Sequence, residues 1–195
     1  VGIDCVVAAR KASKLVIAEV NEQMPRTLGR SFVHFSKFDY IVETNRPLPE
    51  LPVCVPDEID NQIAANVCDL VEDGSTLQMG IGSIPDAVIR FLKDRHNLGI
   101  HTEMFSDGVL DLIELGGITN DAKKILPGKT ATSFVMGSKR LYDFVDNNPS
   151  VEFQTSDFIN DPFIIAQNDK VVAINSALQI DLTGQVCADS LGTRL

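Results

Sequence analysis

The sequence predicts an α/β fold, an open and mostly parallel sheet with helices on both faces. Three observations lead there. From residue 57 onward, apolar runs of strand length alternate with segments of helical spacing, the pattern of βαβ units. Glycine or proline punctuates most of the joins between them. The composition, 44% hydrophobic and 23% charged over 195 residues, is that of a globular chain long enough to bury a sizeable core.

Taken in order, residues 4–13 read as a short helix, 15–20 as an apolar strand, and 25–29 as a turn leading into 31–42. Pro47, Pro49, Pro52 and Pro56 crowd the next ten residues, which can hold neither a helix nor a central strand. Asp57 then caps a helix whose Ile59, Ile63, Val67 and Leu70 share one face. Residues 76–79 form a buried strand, and Gly80-Ile81-Gly82-Ser83 a glycine turn. Ser83 and Asp86 stand in capping-box relation, with Pro85 in the first turn, so a helix runs from there to about Arg95. Residues 99–103 are the next strand, and Val109, Leu112 and Ile113 keep helical spacing until Gly116-Gly117. Strands at 130–136, 151–155 and 170–176 follow, with helices over 138–145 and after Pro162 between them. A hairpin over 178–187 comes last.

This division assigns residues 1–46 to the end of an N-terminal domain, 47–56 to a linker and 57–195 to a C-terminal domain. The first 46 residues are too few for a core of their own. Val1 is not a methionine and Leu195 follows no closing element, so the chain is expected to be a piece of a longer protein, with the C-terminal domain incomplete.

Seventeen basic against twenty-seven acidic residues leave a net charge of −10, without the basic footprint of a nucleic-acid or anionic-membrane binder. Cys5, Cys54, Cys68 and Cys187 form no C-x-x-C pair, so reduced thiols in a cytoplasmic protein are expected. His34, His96 and His101 lack the i, i+4 spacing of a helical metal pair, and no metal site is expected. No apolar run approaches membrane-spanning length and no secretory pattern opens the chain.

In parallel α/β sheets, ligands sit beyond the carboxyl ends of the strands, which directs attention to the loops at 80–84 and 103–107. Glycines between a strand and a helix N-terminus expose backbone N–H groups to an anion, yet the same residues also make an unliganded tight turn. Pro85 occupies the place of the third glycine in a dinucleotide fingerprint. Lys123 stands where Gly128-Lys129-Thr130 would need the first glycine of a phosphate loop. Ser83 lacks the flanking glycine of a nucleophile elbow and reads as a helix cap. What remains is Glu103, at a strand end before Ser106-Asp107-Gly108. A carboxylate there is either simply solvated or able to attack a carbonyl without prior loss of a proton.

Several blocks together, Met24-Pro25-Arg26-Thr27, Gly80 to Asp86, Gly99-Ile-His-Thr-Glu-Met104, Ser106-Asp-Gly108, Met136 to Phe144, Ile174-Asn-Ser-Ala177 and Asp181 to Val186, resemble the acetyl-CoA hydrolase/transferase family. The likeness is greatest to its 4-hydroxybutyrate and butyrate:acetate CoA-transferase members and runs almost end to end. It implies a CoA-transferase-like sheet preceded by the tail of a similar N-terminal domain. It also implies CoA transfer between an acyl-CoA and a short-chain carboxylic acid, with Glu103 as covalent nucleophile, Asn175 donating to the thioester carbonyl, and Gly80, Ile81, Gly82 and Ser83 bordering the acyl and CoA site. The coenzyme A thioester is then a substrate and no tightly bound cofactor is expected. A homo-oligomer in the cytoplasm follows from the resemblance, with a mitochondrial location left open. Family members are longer and carry a second glycine-rich segment downstream of the last block. Lys129, Lys139 and Arg140 are candidate contacts for the CoA phosphates. Two other readings stay open, an acyl-CoA hydrolase using the same glutamate and a noncatalytic nucleotide-binding or assembly module.

Overall fold

A computed structural model of the chain describes residues 1–52 and 55–190, so Cys54, within the Pro-rich stretch, lies outside the described residues. Its centre is a five-stranded sheet, entirely parallel, in the order β6-β5-β4-β3-β7. The strands are β3 (Thr76–Met79), β4 (Gly99–Phe105), β5 (Thr130–Val135), β6 (Val151–Phe153) and β7 (Val171–Ile174). A parallel sheet needs a crossover between neighbours and cover on both faces, and the helices predicted from spacing supply them.

Helices α2 (Glu58–Cys68), α3 (Ser83–Phe91), α4 (Asp107–Glu114) and α5 (Lys139–Val145) pack side by side in chain order. They lie on the face carrying Leu77, Met79, Ile100 and Met104, and with Ala87, Val88, Leu110 and Leu112 they enclose the main core. The single-turn helix α6 (Ser156–Ile159) lies against β4 and β5 on the opposite face, and α7 (Pro162–Ile165) follows it. Pro162 starts α7 behind an Asp161 cap, as expected for proline in a first turn. Hydrophobic spacing does not reveal α6, because four residues carry too little periodicity to register.

Two expectations are corrected in the helices. Helix α2 has the Asp57 cap, completed as a capping box with Asp60, but of the face read as buried only Val67 packs against the core, and that partly, while the rest is turned outward. Ile59 is 66% and Leu70 74% exposed, whereas Ala64 is fully buried against α3. The close approach of two helices selects the small side chain over the larger ones. Helix α3 is not capped by Ser83. Its N-cap is Gly82, in the left-handed region at φ +112°, and the Ser83 hydroxyl donates to Asp60 Oδ1 at 2.9 Å, joining α3 to α2. Asp86, the intended partner, accepts instead from Ser106 Oγ at 2.9 Å.

Helix α1 (Val6–Ala12) is followed by β1 (Ile17–Asn21) and β2 (Tyr40–Thr44), a separate parallel pair. The early residues also touch the large sheet. Gly2 bridges Phe134 at the end of β5, and Leu28 and Arg30 flank Phe153 with backbone hydrogen bonds outside β6. The Pro-rich stretch is tied to the start of α5, where Leu51 N–H donates to Gly137 O, Lys139 N–H to Glu50, and Tyr142 OH to Pro49 O. A short antiparallel hairpin, β8 (Gln179–Ile180) with β9 (Val186–Cys187), turns at Gly184. Among the described residues no helix is long and apolar enough to cross a membrane.

Candidate functional site

Register brings three of the sequence-selected residues together. Thr76 pairs with Gly99 and Met79 with Ile174, and the same offsets put Glu103, Gly80 and Asn175 in one row across β4, β3 and β7. The offset holds beyond the last paired residues, since Met79 N–H donates to Thr102 Oγ1 at 3.1 Å and Gly80 N–H to Ile174 O at 2.7 Å. Residues in one row of a parallel sheet face the same way, so Glu103 and Asn175 project from the same face, roughly 10 Å apart at two strand spacings. The row lies at the carboxyl ends of the strands, where such sheets bind ligands.

Gly80 occupies the middle of the row for a steric reason. A Cβ there would stand 2.8 Å from Asn175 Oδ1 and 3.1 Å from Ile174 O. The Asn175 amide is paired with Gln78 on the same face, Nδ2 donating to Gln78 Oε1 at 2.7 Å and Oδ1 accepting from Gln78 Nε2 at 3.3 Å. Ile81 is exposed, Gly82 begins α3, and Ser83 is drawn away to Asp60. Of the four loop residues, Gly80 thus has the direct contact with Asn175, and Ser83 faces another helix.

The backbone around Glu103 is held by threonines on either side. Thr132 Oγ1 on β5 donates to Glu103 O at 3.1 Å, at the point where the β4–β5 register skips a residue. Thr102 Oγ1 is 3.0 Å from Met79 O and 2.8 Å from Met104 O, spanning the region where β3 and β4 end their regular pairing. The half-buried Glu103 carboxylate accepts from Asn160 Nδ2 at 2.7 Å through Oε2. That leaves Oε1 for another partner. Sequence reasoning missed Asn160, which follows α6 and lies 57 positions along the chain. The local Asn-Asp-Pro pattern signals a turn and says nothing about which strand it meets.

Below Glu103 on the same face of β4, His101 is 4% exposed, and its Nε2 lies 2.9 Å from Ile159 O. Burial pushes its pKa below the ordinary imidazole range, with the Lys123 charge adding to the effect against the Ile159 hydrogen bond. On the other face of the sheet, a cavity of about 1020 Å³ opens between α3, α4 and the start of α5. Met104 lines it and Glu103 does not, as the alternation of a strand requires. Its acidic residues are partly committed. Asp107 accepts from Ser138 N–H and from the Ser138 hydroxyl, fastening α4 to α5, and burial raises the pKa of Asp86 despite the Ser106 hydrogen bond.

The cations singled out for phosphate contact are all engaged. Lys129 donates to Pro149 O, Lys139 pairs with Asp143, and Arg140 bridges Asp111 and Glu114. Among the described residues there is no cluster of three His, Cys, Asp or Glu side chains that would hold a metal ion.

Residues 137–195 match the acetyl-CoA hydrolase/transferase C-terminal domain. The 4-hydroxybutyrate coenzyme A transferase of Clostridium kluyveri is 54% identical over 95% of this chain and 43% of its own length. A succinyl-CoA:acetate/propanoyl-CoA:succinate CoA transferase of Fasciola hepatica is 46% identical over 99% of this chain and 41% of its own length. The chain thus spans about two fifths of these curated relatives. The crystal structure of RipA from Yersinia pestis superposes with TM-score 0.93 at 42% identity, over 97% of this chain and 44% of that one. The 4-hydroxybutyrate CoA-transferase structure from Porphyromonas gingivalis gives 0.91 at 46% identity, over 95% of this chain and 48% of that one.

Proposed function

Because the chain belongs to the acetyl-CoA hydrolase/transferase family, we propose that the whole protein transfers CoA between an acyl-CoA and a short-chain carboxylic acid, with Glu103 as the covalent nucleophile. The observation that carries this reading is the hydrogen bond from Asn160 to one carboxylate oxygen of Glu103, at the ligand-binding end of the sheet and in one row with Gly80 and Asn175. One oxygen is held and the other is left to react.

In the proposed sequence, Oε1 attacks the acyl-CoA thioester carbonyl, the C–S bond breaks, and CoA leaves as thiolate from an acyl-glutamyl anhydride. The thiolate attacks the Glu103 carbonyl, releasing the first carboxylate and leaving a glutamyl-CoA thioester. An acceptor carboxylate reverses both steps and departs as the new acyl-CoA. Asn160 stays with the same glutamate oxygen throughout, so its N–H faces the charge that develops there in the tetrahedral intermediates formed at the Glu103 carbonyl. Asn175 donates to the thioester carbonyl after its amide leaves Gln78. A carboxylate is a weak nucleophile, so the rate gain comes from orientation and from such donors, each typically worth about 3–4 kcal/mol. The loop from Gly80 to Ser83 borders the acyl and CoA site.

The substrates are small acyl-CoA thioesters and carboxylates of the 4-hydroxybutyrate, butyrate or acetate class, with no tightly bound cofactor, nucleic acid or membrane involved. The free thiols of Cys5, Cys68 and Cys187 support a reducing, cytoplasmic setting. A homo-oligomer belongs to the same reading. The test uses the full-length protein, incubated with acetyl-CoA and then with borohydride. Reduction of the thioester leaves an alcohol in place of the Glu103 carboxyl, detectable by peptide mass spectrometry, and Glu103→Gln abolishes both the product and CoA exchange. An unmodified Glu103 in actively exchanging enzyme overturns the mechanism. CoA release that is indifferent to an added carboxylic acid identifies a hydrolase instead, since water reaching the thioester gives hydrolysis with the same nucleophile.

A further inference from the structure

We infer that His101 is a positioning residue, holding the one-turn helix α6 at the height where Asn160 meets Glu103. This inference rests on the proposed role of Glu103 and adds what keeps its partner in place.

A helix of four residues has almost no stability of its own, because nucleation fixes several dihedral angles for very few hydrogen bonds. The position of α6 therefore depends on outside attachments. At its start, Ser156 N–H donates to Asp4 O at 3.0 Å. At its end, Ile159 is 1% exposed and its carbonyl accepts from His101 Nε2 at 2.9 Å, while the Phe158 ring lies 6.4 Å from the imidazole, centroid to centroid. The next residue is Asn160, whose amide reaches Glu103 at 2.7 Å. Two β4 side chains on one face, His101 and Glu103, thus grip adjacent residues of the same turn. Alternate residues of a strand stand roughly 6.6 Å apart. The lower grip fixes the backbone and the upper one uses the side chain.

The chemistry of the imidazole suits this task. A carbonyl only accepts, so Nε2 carries the proton and Nδ1 is the bare nitrogen. Nδ1 is buried with no hydrogen-bond partner among the described residues, so a second proton there would be a buried donor without an acceptor. The ring is held in one tautomer, aimed at one carbonyl, and takes no part in the proton inventory of the reaction, which needs none.

The experiment compares His101→Gln, His101→Asn and Asn160→Ala in the full-length protein. Gln can place its amide N–H near the position of Nε2, whereas Asn is too short. His101→Asn is expected to lower kcat at least tenfold, towards the ~100-fold that a displacement of about 1 Å in a reacting group costs. KM should change little. His101→Gln should stay within about threefold of the parent. Because His101 acts through Asn160, adding His101→Asn to Asn160→Ala should cost nothing further.

A readout independent of catalysis is the crystal structure of the full-length His101→Asn protein, in which the Asn160 amide should have left Glu103. An Asn160–Glu103 bond intact in that variant overturns the inference, as does an equal fall in kcat from His101→Asn with Asn160 present or absent. If His101→Asn does not fold, a His101→Gln protein in which Gln still donates to Ile159 O but the Asn160–Glu103 bond is lost overturns it equally. Failure to trap a thioester at Glu103 in the parent refutes the catalytic reading, while the crystallographic result still decides the role of His101.

Discussion

Replacing Gly80 by alanine tests the central row of the site. The new methyl carbon would lie 2.8 Å from Asn175 Oδ1, 3.1 Å from Ile174 O and 3.3 Å from Asn175 Cα. Two of these neighbours are backbone atoms, and Ile174 O is held by the 2.7 Å hydrogen bond from Gly80 N–H, so β3 and β7 cannot part without losing it. The third is the end of a side chain and gives way first, which turns the Asn175 amide out of its pair with Gln78. Overpacking of this kind costs about 1–3 kcal/mol. In a domain of 150–250 residues, that is a fall of roughly 2–12 °C in Tm. If Asn175 donates to the thioester carbonyl, misplacing it lowers kcat by about two to three powers of ten. Calorimetry gives the first quantity, and rapid-quench measurement of glutamyl-CoA formation in the full-length protein gives the second. The same change in an Asn175→Ala background keeps only the part of its stability cost that comes from Ile174 O and Asn175 Cα, and loses its effect on rate. A Gly80→Ala protein with parental Tm and kcat would show that β3 and β7 do not meet as described. An undiminished effect on rate in the Asn175→Ala background would remove Asn175 from the mechanism.

Two further outcomes follow from other groups. Asn160→Ala should slow formation of the Glu103 thioester by about two to three powers of ten, the value of one preorganised donor, with no comparable loss of Tm, and an unchanged single-turnover rate would count against it. Lys123 is 3% exposed, and its Nζ donates to Ile100 O and Lys129 O with no carboxylate partner among the described residues, so burial brings its pKa down to about 7. The unfolded chain holds that proton more tightly than the native one, so stability rises with pH from about 7 to the unfolded value near 10.5. The gain is at most roughly 5 kcal/mol, reduced by the two carbonyl contacts that favour the ammonium form. Urea midpoints between pH 7.5 and 9.5 should climb more for the parent than for Lys123→Met, and parallel curves would refute the assignment.

Several features of the site are legible in the order of residues alone. Glu103 near the carboxyl end of a strand, the glycine turn after β3 and the proline start of α7 are local events, each set by the conformational limits of neighbouring residues. The role of Glu103 as nucleophile comes from the block resemblance, since its position alone leaves solvation equally open. Asn160 is not legible in this way, because no local signal states which strand a turn will meet. Ser83 illustrates the converse. Its spacing to Asp86 satisfies a capping rule, yet each found a partner from another element, Asp60 in one case and Ser106 in the other.

By itself the sequence determined the class of fold, the order of the strands and of every helix but α6, and the residue types available for acyl transfer, because hydrophobic period and backbone restriction act within a few residues. The tertiary structure decided which of them meet. It set the register that places Glu103, Gly80 and Asn175 in one row, brought α6 under β4, and turned Ala64 rather than Ile59 into the core. The reason is that contact between distant segments depends on how whole elements pack. A glycine that admits a neighbouring strand, or a histidine that grips one carbonyl, takes its meaning from a partner 58 or more positions away.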